Sequence, residues 1–86
     1  MESIENILER IAVIFERVFK VDKNTVTIKT IPDHIGKWDS ISHLNMILEV
    51  EAEFNIRIDP SKFKRLNSVE KIINEIKFLK DKNGKR

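Results

Sequence analysis

Asp39-Ser40-Ile41 ends a loop containing Pro32 and Gly36 and opens an uninterrupted helical run from Ser42 to Phe54. A serine at such a junction has two available roles. It can cap the helix, its hydroxyl accepting from a first-turn N–H, or it can carry a phosphate-linked group beside the unpaired N–H groups and positive dipole end of the helix. Both roles are compatible if Asp39 does the capping.

The helix that follows carries two apolar faces. On a 100° wheel Ile47, Val50 and Phe54, with Met46 and His43 at the margin, form a stripe suited to a core. Ile41, Leu44 and Leu48, spaced i, i+3, i+7, form a second stripe that points elsewhere. Either this helix is central and buried widely, or the second stripe is a docking face rimmed by Glu49, Glu51 and Glu53. Between Ser40 and Phe54 there are three Glu and no Lys or Arg, which favours the docking face.

Upstream, Ile4, Ile7, Leu8, Ile11, Ile14, Phe15, Val18 and Phe19 recur at helical period, so a first helix is expected from Ser3, its N-cap, to about Lys20. Residues 21–39 lose that pattern. Val26 and Ile28 alternate, but no partner strand is evident, and a long loop pinned by apolar anchors fits better. Downstream, Asp59-Pro60 starts a short helix reaching Arg65. Asn67-Ser68-Val69-Glu70 reads as a capping box leading into Val69, Ile72, Ile73, Ile76 and Leu79. Residues 80–86 hold no apolar side chain and are expected to form a basic, disordered tail. The expected fold is all-α: a small four-helix bundle of three longer helices and one short third helix, with a long loop after the first, over residues 1–79.

The 86 residues leave room for one modest core. No Cys is present, so disulfides and thiolate metal sites are excluded, and His34 and His43 alone make a poor zinc set. Neither a signal peptide nor a span of about 18 apolar residues is evident, and the chain reads as a cytoplasmic monomer. The net charge of +2 is a property of the last ten residues, which hold five basic groups against Asp81. The rest is mildly acidic. That distribution, with an acidic second helix and no aromatic interleaving, argues against a nucleic-acid-binding helical domain. Catalysis is not expected either, because no paired carboxylates, Ser-His-acid set or phosphate-binding Gly loop emerges.

The chain resembles the acyl carrier protein family from the first helix to about Leu79. That family carries Asp-Ser-Leu at the start of its second helix, matched by Asp39-Ser40-Ile41, followed by an apolar and acidic helix ending Glu51-Ala52-Glu53-Phe54. Ile58, Leu66 and Val69 fall at the corresponding apolar positions without a gap. The resemblance implies that a phosphopantetheinyl transferase attaches 4′-phosphopantetheine from coenzyme A to Ser40, with Asp39 as the signature acid. The arm's thiol would carry acyl or related groups as thioesters for loading and transferring enzymes. It also implies partner contacts at Ile41, Leu44, Leu48, Glu49 and Glu51. Ile47, Val50, Phe54, Leu66 and Ile72 would line a shelter for the cargo or serve as ordinary core.

Several departures from the family pattern stand out. Gly36 lies one position further from the serine than in Leu-Gly-x-Asp-Ser. Trp38 precedes the signature, where it packs the loop or flanks the arm, and Asn45 replaces a common Glu. Arg57, Lys62, Lys64 and Arg65 make the third-helix region basic. Docking depends on charge complementarity, so a specialised carrier is expected, in a lipid, polyketide or polysaccharide-modification pathway. Ser61-Lys62-Phe63-Lys64-Arg65 is similar to a stretch of D-alanyl carriers, which makes an aminoacyl carrier the alternative.

Overall fold

The computed structural model describes residues 3–84, and among them every regular element is helical. The first helix, α1, spans Ile4–Phe19, with Ser3 Oγ accepting from the Asn6 amide at 3.1 Å. It ends where Lys20 turns into the left-handed region at φ 60° while its N–H still reaches Glu16 O. Ile7, Ile11, Ile14, Phe15 and Phe19 are buried, as the period requires, whereas Ile4 remains exposed. Residues 21–39 form the expected loop, tightened by 3₁₀ turns at Lys23–Thr25 and Pro32–His34. Val26 and Ile35 anchor it in the core.

Helix α2 spans Ser40–Phe54, and α3 spans Val69–Gly84. Between them Pro60–Arg65 is a 3₁₀ helix. Asp59 caps it through the Ser61 amide at 3.0 Å, and the Leu66 N–H closes it onto Phe63 O. α1 packs against both α2 and α3. Met46, Ile47, Val50 and Phe54 meet Ile72, Ile73 and Ile76 in one continuous core with the α1 aromatics.

Two boundaries differ from those expected. The cap of the last helix is Ser68, whose Oγ accepts from the Lys71 amide at 3.1 Å. Asn67 is one residue too early for the capping box, and its Oδ1 instead accepts from Lys71 Nζ. The Val69 amide is taken by Thr30 O at 3.0 Å, which ties the long loop to the start of α3. The second difference lies at the other end, where residues 80–84 continue the helix instead of forming a tail. Lys80 Nζ donates to Phe54 O at 3.1 Å, so an apparently tail-like lysine satisfies a carbonyl left open at the end of α2. Residues 85 and 86 lie outside the described residues.

The two faces of α2 separate as the wheel requires. Ile47 is fully buried, while Ile41, Leu44 and Leu48 are 75%, 45% and 52% exposed. Truncation should therefore have very unequal consequences at neighbouring positions. Ile47→Ala is expected to cost about 2–5 kcal/mol in urea unfolding, whereas Leu48→Ala should stay within about 0.5 kcal/mol of the parent.

Candidate functional site

Helix α2 begins with a division of labour. Asp39, in extended backbone, places Oδ1 2.9 Å from the Ser42 amide and so caps the helix. Ser40 is the first helical residue and exposed, and its hydroxyl forms no hydrogen bond among the described residues. The ambiguity between cap and free serine is thus resolved locally: the acid caps, and the hydroxyl faces solvent at the positive end of the helix. The Ser42 amide, followed by its hydroxyl, holds the Asp39 carboxyl below its ordinary value of 3.8.

Beside Ser40 runs a groove of about 390 Å³ lined by Pro32, Trp38, Asp39, Ser40, His43, Leu44, Phe63, Lys64 and Asn67. Its walls come from the loop, the first turns of α2 and the 3₁₀ helix. Trp38 makes the loop wall rigid by packing edge-on to Phe15 at 5.2 Å between ring centres and tilted on Phe19 at 5.1 Å. Packing the loop and bordering the Ser40 site are therefore one role for Trp38. Its indole N–H donates to His43 Nδ1 at 2.7 Å, and His43 Nε2 lies 2.7 Å from Phe63 O. One imidazole thereby joins the loop to the 3₁₀ helix across the start of α2.

The remaining residues singled out in the sequence divide among three settings. Ile41, Leu44 and Leu48 are exposed on α2, and Leu44 also borders the groove. Ile47, Val50, Phe54, Leu66 and Ile72 are sealed in the core, from 0% to 4% exposed. Zero exposure means no void wide enough for water adjoins Ile47 or Val50, so a carried chain would reach them only if the helices parted. The acidic rim is engaged within the chain as well as partly exposed. Glu49 Oε1 pairs with Arg17 at 2.6 Å, and Glu51 Oε2 accepts from the Ile58 amide at 2.8 Å. Glu53 pairs with Arg10 at 2.8 Å, whose guanidinium also lies over the Phe54 ring at 4.2 Å. The α2 carboxylates are thus matched by α1 and the following loop.

The basic 3₁₀ helix is only partly committed. Lys62 pairs with Glu75 at 3.3 Å and lies 5.0 Å over the Phe78 ring. Lys64 and Arg65 are exposed, Lys64 at the groove. Sequence reasoning missed Phe63, Lys64, Asn67 and Pro32 as neighbours of Ser40, since nothing in local spacing brings residues 63–67 to residue 40. One signal was present: a partly buried Trp needs an acceptor for its N–H, and His43, on the helix that follows, offers one on a flat ring.

No protein-family model matches the chain, and no curated protein matches it.

The charge on Asp39 has a pH consequence. A carboxyl held low in the folded chain stabilises it above the unfolded value of 3.8, and that contribution is lost as pH falls through the folded value. Asp59, lowered chiefly by the Ser61 amide, acts in the same direction. Thermal unfolding of Asp39→Asn should thus show a lower midpoint than the parent at pH 7 and a smaller further loss below about pH 4.

Proposed function

We propose that the chain is a carrier protein, bearing 4′-phosphopantetheine on Ser40 and presenting acyl or related thioesters to partner enzymes. The observation that carries this reading is the exposed Ser40 hydroxyl, relieved of capping by Asp39, at a helix N-terminus that opens on a groove. A phosphodiester there would be favoured by the first-turn N–H groups and the helix dipole. The prosthetic arm would supply the thiol that a chain without Cys lacks. Ser40 supplies the attachment oxygen, and Trp38, Leu44 and Phe63 supply apolar surface along which an arm can lie.

In this reading the 3₁₀ helix Pro60–Arg65 takes the place of the short third helix, and with α1, α2 and α3 completes a four-helix carrier bundle. The exposed stripe Ile41, Leu44 and Leu48 is the docking surface for the transferase and for loading enzymes. Exposed Lys64 and Arg65, together with the internal pairing of Glu49 and Glu51, support a carrier specialised for partners that differ in charge from those of a uniformly acidic one.

Intact mass after incubation with coenzyme A, Mg²⁺ and a broad-specificity phosphopantetheinyl transferase tests the assignment. A gain of about 340 Da is expected, lost in Ser40→Ala. An unchanged parent mass with several transferases would refute it. For docking, Leu44→Glu and Leu48→Glu should slow loading by about tenfold or more, equivalent to about 1.4 kcal/mol, while circular dichroism stays helical. Unfolding of both variants would mean that the stripe is structural.

A further inference from the structure

The hydrogen bonds of His43 determine its protonation. An indole N–H can only donate, so Nδ1, 2.7 Å from Trp38 Nε1, must carry a lone pair. The ring proton of the neutral imidazole is then on Nε2, and it donates to Phe63 O at 2.7 Å. This assignment follows from the partners alone, because neither of them can exchange its role. A second proton has one place to go, Nδ1, where it would face the indole N–H. Two donors cannot share that 2.7 Å contact, so the ring or one of its partners must move.

The surrounding packing indicates which side yields. Trp38 packs on Phe15 and Phe19, and its N–H edge meets the imidazole nearly in plane, ring centres 5.9 Å apart and planes 22° apart. Phe63 sits in the short 3₁₀ helix, whose i→i+3 bonds are of poorer geometry than those of an α-helix. The mobile partners are therefore the imidazole and the segment carrying Phe63, both of which line the groove beside Ser40.

We infer that His43 is a positioning residue for the Ser40 site: its neutral ring bonds Trp38 to Phe63 across the groove, and its protonation breaks the Trp38 contact, so that the imidazole and the Phe63 segment draw away from the indole. The latch stands on this geometry alone; only its effect on loading rests on the carrier reading. The charged neighbours are few. The loop brings Lys37, the capping Asp39, and the Pro32–His34 turn with Asp33 and His34, while the 3₁₀ helix brings Lys64 and the paired Lys62. Helix α1 meets the stack through uncharged Phe15 and Phe19, and α2 carries no other charge from Ser40 to Leu48. Asp39 stays ionised throughout the range in which imidazoles titrate, because the Ser42 amide holds it low.

Trp38 is the only tryptophan, so its emission reports the latch directly. Acidifying the apo chain from about pH 7.5 to about 5 should shift Trp38 emission reversibly to the red, with helical circular dichroism unchanged. The shift should persist in His34→Asn and vanish in His43→Gln, whose amide offers an acceptor and a donor that do not titrate. A parent chain without the shift, or His43→Gln retaining it, would overturn the inference. Should His43→Gln not fold, ¹⁵N NMR of the parent imidazole decides: Nε2–H at neutral pH is required, and an Nδ1–H tautomer refutes the latch. With the carrier reading intact, the loading rate of His43→Gln relative to the parent should rise severalfold across the same descent in pH. These optical and NMR results do not involve Ser40, so a failed mass gain and a failed latch are distinguishable.

Discussion

The indole of Trp38 has one N–H and no acceptor, and much of the site follows from satisfying it in a half-buried setting. Its ring seals the mouth of the core over Phe15 and Phe19, so it cannot turn its N–H to bulk water without uncovering them. His43 meets the N–H, and doing so commits the second imidazole nitrogen to Phe63 O. One unsatisfied donor thus dictates the tautomer of a histidine and, through it, helps set where the segment after α2 returns. The bond to Phe63 O acts together with the burial of Ile58, Leu66 and Val69 and the Thr30–Val69 bond in bringing residues 63–67 beside residue 40.

A similar economy governs the two ends of α2. At its start Asp39 takes the capping bond, which leaves Ser40 without a structural obligation. Near its end Glu51 accepts from the Ile58 amide, and Lys80 donates to the Phe54 carbonyl. The second bond satisfies a carbonyl that a helix end would otherwise leave to water, and the first satisfies an amide of the loop that follows. Along the α1 side, Glu49 and Glu53 meet Arg17 and Arg10. These pairs are partly exposed and contribute little to stability singly, well under about 1 kcal/mol each. Their larger effect is on the field around α2, because each carboxylate is offset by a cation from α1.

Much of the fold could be read along the chain because it is written in local periods and caps. The 3.6-residue recurrence from Ile4 to Phe19, the cap at Ser3, the start at Asp59-Pro60 and the two faces of α2 all depend on residues a few positions apart. Three features depend on distant residues and were not legible. Lys80 looks like part of a polar tail until the Phe54 carbonyl is placed beside it. The bonds of Glu49 to Arg17 and of Glu51 to the Ile58 amide show only once the chain has folded. Asn67 fits a capping-box pattern, but Thr30 O takes the Val69 amide and moves the helix start so that Ser68 does the capping. The site was legible in the same proportion: Asp39 and Ser40 are local, whereas the wall formed by Phe63 is a tertiary fact.

The contrast between the sealed core and the open groove bears on where a group attached to Ser40 would rest. Entry among Ile47, Val50 and Ile72 requires parting α2 from α3 and forfeiting close contacts that contribute roughly 0.8 kcal/mol per buried methylene. An apolar chain long enough to replace those contacts could offset the cost, whereas a short or polar group could not. The groove asks for no such opening. It offers Trp38, Leu44 and Phe63 as apolar surface with Lys64 and Asn67 at its border, a setting that suits a compact group with a polar end. On the carrier reading, the preference for groove over core is therefore set by cargo length, and the latch at His43 governs the shorter of the two routes.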